Sequence, residues 1–144
     1  MGRILEPEAM NEDEEAVAYS DAVAQRYLDN IDNSFVDKAA TLGVANGTLL
    51  DLGAGPAKIP VKLITRLPEM RAVVIDLSQA MLKQAKNNIN TAGVRAKVDL
   101  LRADAKRLPL RNSTFEIVIC NSLLHHLANP VRLLNEIERV SANG

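Results

Sequence analysis

The chain has 144 residues, 47% of them apolar and 24% charged, with a formal net charge of −1. That length suits one domain with a core and not two. So slight a charge argues against a strong basic field for nucleic acid, leaving room only for a local patch. A single cysteine, Cys120, rules out a disulfide framework or a cysteine-based metal site. Set in an apolar run, it reads as a small buried hydrophobe. The first residues are too acidic for a secretory signal, and no stretch is long enough to cross a membrane. A reduced, cytoplasmic compartment is the expectation.

The section up to about Leu42 is helical in pattern. Glu12, Asp13, Glu14 and Glu15 put negative charge where a helix N-terminus favours it. Val23, Tyr27 and Ile31 then recur every four residues, with Ala24 and Leu28 beside them. A second, shorter helix is expected through Phe35, Val36, Ala39, Ala40 and Leu42, stopped by Gly43. Thr48 to Leu52 is a short apolar run that ends in a glycine-rich turn. Pro60, Leu63, Ile64 and Leu67 predict a helix, with Pro60 in a first turn that needs no amide hydrogen. Ala72 to Asp76 reads as a second strand. Ser78 can cap a helix carrying Met81, Leu82, Ala85, Ile89 and Ala92, which Gly93 ends. Val98–Leu101 and Phe115–Cys120 read as a third and a fourth strand. Asn129 and Pro130 open a last helix through Leu133, Leu134, Ile137 and Val140. Nearly continuous apolar strands alternating with amphipathic helices predict an α/β fold with a parallel sheet covered on both faces.

The central motif is LLDLGAGPAKIPVKL, from Leu49 to Leu63. A strand ends at Asp51 and a helix begins a few residues later. Gly53 and Gly55 remove side chains so that backbone can turn sharply and approach a ligand at the carboxyl end of the sheet. A dinucleotide fingerprint, G-x-G-x-x-G, would place its last glycine where Lys58 stands. Asp76 follows 23 residues after Gly53, at the end of the second strand, where a carboxylate can accept from both ribose hydroxyls. In RADAKRLPL, Asp104 can accept from an adenine amino group while the Ala105 amide donates to the ring. The plain structural role for that Asp is to cap a turn. In FEIVICNSLLHHL, His125 and His126 invite a metal or general-base reading. Adjacent residues on a helix do not share a face, so they make a poor bidentate site, and a structural or pocket-lining role is favoured.

The pattern D-x-G-x-G-x-A over Asp51–Ala57 resembles the glycine-rich signature of class I S-adenosylmethionine (SAM)-dependent methyltransferases. DLSQAML from Asp76, RADAKRLPL and FEIVICNSLLHHL are similar to three further motifs of that family, in the family's order. The resemblance runs from about Leu49 to Val140. It implies a Rossmann-like sheet of strand order 3-2-1-4, a helical cap over residues 1–43 and an α/β core over 44–144. It implies SAM as cofactor and a small-molecule methyl acceptor, with no nucleic acid and no membrane as partner. The implied cofactor-binding residues are Tyr19, Asp51, Gly53, Ala54, Gly55, Asp76, Leu77, Met81, Asp104, Ala105 and Asn121. Backbone around Gly53 and the Asp51 charge would take the methionine ammonium, and Leu77 and Met81 would pack near adenosine. Asn121 would lie beside the methionine part, and Tyr19 would reach its carboxylate. No catalytic base and no metal ligand is assigned.

Two other readings compete with a methyltransferase. One is a module that holds SAM without catalysing transfer. The other is a nicotinamide-dependent oxidoreductase, which the missing glycine at Lys58 opposes. In the family a fifth strand follows the last helix, where this sequence reads Ser141-Ala142-Asn143-Gly144. The fourth strand would then be a long apolar edge, which is a template for pairing. A homodimer through two-fold pairing of the fourth strands is therefore expected, the alternative being a truncated piece of the family fold whose missing C-terminal strands built the acceptor site.

Overall fold

The computed structural model describes residues 22–121 and 123–142. In chain order it contains α1 (Ala22–Ala40), β1 (Gly47–Leu52), α2 (Lys58–Arg66), β2 (Met70–Asp76), α3 (Gln79–Thr91), β3 (Val98–Arg102), β4 (Ile117–Ile119) and α4 (Val131–Val140). Single 3-10 turns lie at Arg95–Lys97 and Leu124–His126. The four strands are all parallel, in the order β3-β2-β1-β4. This is the expected order.

The local signals explain most of these elements. Ser78 caps α3, its Oγ accepting from the Met81 amide at 3.2 Å. Gly93, at φ +71, follows the end of that helix in the left-handed conformation a glycine stop supplies. Asn129 Oδ1 accepts from the Val131 amide at 3.0 Å and so steadies the start of α4. Two expectations are corrected. The two N-terminal helices are, over the described residues, one helix from Ala22 to Ala40. Asp32, Asn33 and Ser34 are indifferent helix formers, but no Gly or Pro falls among them to break the backbone ladder. The fourth strand is only Ile117–Ile119, shorter than the apolar run Phe115–Cys120. Phe115 instead forms an isolated parallel bridge with Ser141, and its carbonyl accepts from the Ala142 amide at 2.8 Å.

Alternation along the strands divides the core in two. Leu49, Ala72, Val74, Val98, Ile117 and Ile119 face one side, where Val36 and Ala39 of α1, Leu63 and Ile64 of α2, and Ala85 and Ile89 of α3 pack on them. Leu50, Leu52 and Ile75 face the other side. They are covered by Leu133 and Val140 of α4 together with Leu108, Phe115 and Leu127 from loops. One helix and its loops thus do for the second face what three helices do for the first.

Leu133 is fully buried, whereas Leu134, one residue on, is about half exposed. Leu133→Ala should lower unfolding free energy by about 2–5 kcal/mol. Leu134→Ala should change it by no more than about 0.5 kcal/mol. Urea titration followed by circular dichroism distinguishes the two. Equal effects would mean that α4 does not seal the second face as described.

Candidate functional site

The turn after β1 is built almost entirely from backbone. Gly53 and Gly55 have φ of +67° and +56°, conformations that glycine adopts freely. Ala57, the residue before α2, also lies in the left-handed region at φ +61°. Ala57 therefore keeps glycine-like backbone, at a strain of roughly 1–2 kcal/mol, and full burial of its methyl works against that cost. The amides of Gly53 and Ala54 both donate to the Ile75 carbonyl, and Asn88 Nδ2 of α3 donates to the Pro56 carbonyl at 2.9 Å.

Asp76 ends β2 beside this turn. Its Oδ2 accepts from the Gly55 amide and its Oδ1 from the Ser78 amide, both at 2.8 Å. Two amides on separate loops fix the plane of the carboxylate and leave each oxygen further accepting capacity. Burial raises the Asp76 carboxyl above the usual range, and the amide bonds from Ser78, Gly55 and Leu77 pull it back down. A cleft of about 350 Å³ opens at this point, lined by Gly53, Asp76, Leu77, Asp104, Ala105 and Leu123 among others.

Asp104 reaches the cleft from the loop after β3. Its Oδ1 accepts from the Lys106 amide at 2.9 Å and pairs with Lys106 Nζ at 3.1 Å. Burial works upward on this carboxyl, but the Lys106 amide and ammonium, with Arg132, outweigh it and hold it low. Leu123 closes the cleft from the β4 side. A Cβ on Gly53 would stand 3.2 Å from three Leu123 side-chain atoms, so a larger residue at position 53 must displace Leu123.

Of the residues expected from the sequence, the fold gathers Gly53, Asp76, Leu77, Asp104 and Ala105 around one cleft. Gly55 and Ala54 form the turn beneath it. Met81 is buried behind that turn, its Sδ 3.9 Å from where a Gly55 Cβ would lie, and does not line the cleft. Asn121 follows β4 and lies outside the lining. Tyr19 falls outside the described residues. Lys106, Leu123 and Leu127 line the cleft without having been expected. Lys106 carried a signal, since it follows directly on Ala105. The His125 and His126 rings lie 4.1 Å apart at 35°. Among the described residues no three His, Cys, Asp or Glu side chains gather as a metal would need.

Asp51 is 2% exposed, and no donor among the described residues holds its carboxylate. Alternation puts it on the α1–α3 face of the sheet with Leu49. There it meets Asp32 of α1, itself 8% exposed. Burial, then the charges of Asp76 and Asp32, hold the Asp51 carboxyl well above its ordinary value. Asp32 is raised by burial too, although Lys62 and Lys58 of α2 oppose the rise. The same burial, with Asp51 nearby, pushes the Cys120 thiol up to about 11. The charges of Asp76 and Asp32 thus both act on Asp51, and a cation beside Asp51 would relieve it. SAM, whose methionine part carries an ammonium and a sulfonium, fits that demand.

Comparison with known proteins agrees. Residues 50–144 match the methyltransferase domain family. The chain belongs to the class I SAM-dependent methyltransferases. It is 33% identical over 101 residues to the malonyl-[acyl-carrier protein] O-methyltransferase of Geobacter sulfurreducens, covering 70% of this chain and 37% of that protein. It is 31% identical over 93 residues to the demethylmenaquinone methyltransferase of Chlamydia pneumoniae, covering 65% of this chain and 39% of the relative. The chain therefore spans well under half the length of these relatives. The fold matches a SAM-dependent methyltransferase from Aquifex aeolicus with a TM-score of 0.72 at 19% identity, over 92% of this chain and 69% of that one. It also matches geranyl diphosphate methyltransferase in complex with geranyl diphosphate and sinefungin, with a TM-score of 0.61 at 18% identity, over 69% and 36% of the two chains. At those identities the two structures bear on the fold alone.

The raised Asp51 carboxyl has a defined consequence for stability. Between its ordinary and its folded pKa, the folded state holds more protons than the unfolded one, so this group's contribution falls as pH rises through that window. Above the window the ligand-free fold carries a buried, unpaired charge. Asp51→Asn should therefore stabilise the ligand-free protein by about 1–3 kcal/mol at neutral pH. It should also flatten the decline in stability as pH rises above the ordinary carboxylate range, while weakening SAM binding. Urea unfolding of both proteins across a pH series checks this. A destabilised variant with an unchanged pH slope would count against a charged, uncompensated Asp51.

Proposed function

We propose that this chain binds SAM across the Gly53–Gly55 turn and transfers its methyl group to a small-molecule acceptor. The observation that carries the reading is the Asp76 carboxylate, aimed by the Gly55 and Ser78 amides and set at the mouth of a cleft. In that pose Asp76 accepts from the two ribose hydroxyls. Asp104 accepts from the adenine amino group, the Ala105 amide donates to the ring, and Leu77 lies against the adenosine. Ala54 and the two glycines offer backbone to the methionine part, and Asp51 supplies the counter-charge for its ammonium. Asn121 and Tyr19 belong to the same end of the cofactor. Met81 supports the turn from behind. Bound there, SAM supplies a methyl group already activated on a sulfonium, so the protein contributes position and electrostatics. No side chain is assigned as a general base.

A small-molecule acceptor is favoured by the relatives, among them enzymes named for O-methylation of malonyl-[acyl-carrier protein] and for C-methylation in quinone biosynthesis. The slight net charge argues in the same direction by offering nucleic acid no broad basic field. No described helix is long and apolar enough to cross a membrane. A cytoplasmic setting suits a SAM enzyme of this composition, and residues 1–43 and 44–144 serve as cap and core. Ile117–Ile119 pair on one side with β1, and among the described residues the other edge is met at Phe115, just before β4, by Ser141. A second copy pairing along that edge would complete a homodimer.

Isothermal titration calorimetry tests the cofactor. SAM should bind the parent chain, and Asp76→Ala should weaken it by about 1–3 kcal/mol by leaving two hydroxyls unpaired. No heat at millimolar SAM would sink the reading. Incubation with methyl-labelled SAM and a cell extract should give a protein-dependent labelled product. Binding without any such product would mark a SAM-holding module instead. Sedimentation velocity at micromolar concentration should show a dimer, and a stable monomer would defeat the β4 pairing.

A further inference from the structure

The loop from Ala103 to Phe115 carries Ala103, Asp104, Ala105 and Lys106 into the cleft. At its start it is tied to the sheet by the Ala103 amide, which donates to the Asp76 carbonyl at 3.3 Å. Its far end runs into β4, where the Glu116 amide donates to the Thr48 carbonyl of β1 at 3.1 Å. The stretch between is held by the C-terminal turns of α4. Arg139 Nη1 donates to the Leu110 carbonyl at 2.7 Å and to Asn112 Oδ1 at 2.8 Å, and Nη2 donates to the Leu108 carbonyl at 3.1 Å. Glu136 holds the other edge of the guanidinium, with Nε donating to Oε1 and Nη2 to Oε2, both at 2.8 Å. The same carboxylate accepts from the Leu108 amide at 2.6 Å. The carbonyls of Arg139 and Val140 then accept from the amides of Ser113, Thr114 and Phe115. Ser113 is held at φ +49°, a conformation that a non-glycine residue keeps only under constraint.

We propose that Arg139 and Glu136 are positioning residues for the base of the cofactor, clamping the 103–115 loop so that Asp104 and Ala105 stay on the wall of the cleft. The proposal rests on the SAM reading above and goes beyond it, since neither residue touches the cleft. A planar guanidinium can serve a carboxylate on one edge and two carbonyls on the other, a geometry that an ammonium does not reproduce. The pair also tunes itself. The bond to Arg139 is the main influence holding the Glu136 carboxyl low, and the bond to Glu136 raises Arg139. Arg132, on the first turn of α4, adds its charge near Asp104, so one helix acts on both ends of the loop. Without the clamp, residues 104–110 keep mainly local turn bonds and sample other conformations. Affinity then falls in proportion to the fraction of time the loop is correctly placed.

The test uses the full chain with S-adenosylhomocysteine and its inosine analogue, S-inosylhomocysteine, which lacks the amino group that Asp104 would accept. The parent should bind the adenine compound more tightly. Arg139→Lys should weaken S-adenosylhomocysteine by about tenfold. It should weaken the inosine analogue much less, so the preference between the two shrinks. Glu136→Gln, which retains an acceptor for the Leu108 amide, should lie between parent and Arg139→Lys, and it supplies the comparison should the lysine variant fail to fold. Hydrogen exchange of the 106–115 amides should quicken in both variants while that of β1 and β2 stays unchanged. If the parent binds neither compound, the SAM reading falls and the clamp's proposed role falls with it. If the parent binds and discriminates, but the variants keep its preference or weaken both compounds equally, the clamp alone is overturned and the SAM reading stands.

Discussion

Two loops at the carboxyl end of the sheet meet on one carboxylate. Asp76 takes the Gly55 amide from the turn after β1 and the Ser78 amide from the start of α3. Just behind it, the Ile75 carbonyl takes the amides of Gly53 and Ala54. The glycine turn is therefore held by β2 as much as by the strand it continues. Left-handed backbone at Gly53, Gly55 and Ala57 would not hold its shape without those partners. The cleft depends on this tie because its floor is that turn and one of its walls is Asp76 itself. The interaction is also exacting. A carboxylate that already accepts two amides at 2.8 Å is oriented in advance, so little ordering remains to be done when hydroxyls arrive.

The electrostatics of the turn run against the ligand-free fold. Asp51 is buried with no donor among the described residues, and the charges of Asp76 and then Asp32 act on it. Lys58 and Lys62 moderate Asp32, yet they also pair with Asp29 on the outside of the α1–α2 contact, so their charge is shared. A carboxylate at so buried a position costs stability unless a donor or a cation meets it. Asp104 is the counterexample, exposed enough and close enough to Lys106 to stay ionised. A buried acidic end and a solvated acidic end thus lie about one glycine turn.

The two faces of the sheet are covered by different means. On the first face, α1, α2 and α3 bring continuous apolar stripes, and the packing needs no special device. On the second, α4 stands almost alone, and polar bonds from its last turns organise the loop that completes the cover. Leu108 joins the two modes, being buried against Leu133 and Val140 while its amide and carbonyl are held by Glu136 and Arg139. Packing and recognition are coupled through that residue, because the loop it anchors is the one that reaches the cleft.

Periodicity and capping residues in the sequence determined which segments are strands and which are helices, because those signals act between neighbours. The Gly53–Gly55 turn, the Ser78 cap and the Asp76 carboxylate at a strand end were legible for the same reason. Five of the expected cofactor residues consequently fall on one cleft. The break expected between two N-terminal helices was misplaced, since weak helix formers at Asp32–Ser34 yield to tertiary packing of Val36 and Ala39. Other features belong to the tertiary structure alone. Asp32 meets Asp51 only because α1 crosses the β1 face. Leu123 closes over Gly53 only because β4 lies beside β1. Arg139 reaches the Leu108 carbonyl across 31 residues because the core draws α4 back onto the sheet. No local pattern encodes such contacts. They arise when separate segments are brought together by burial, and the sequence records only the residue types that can then make the bond.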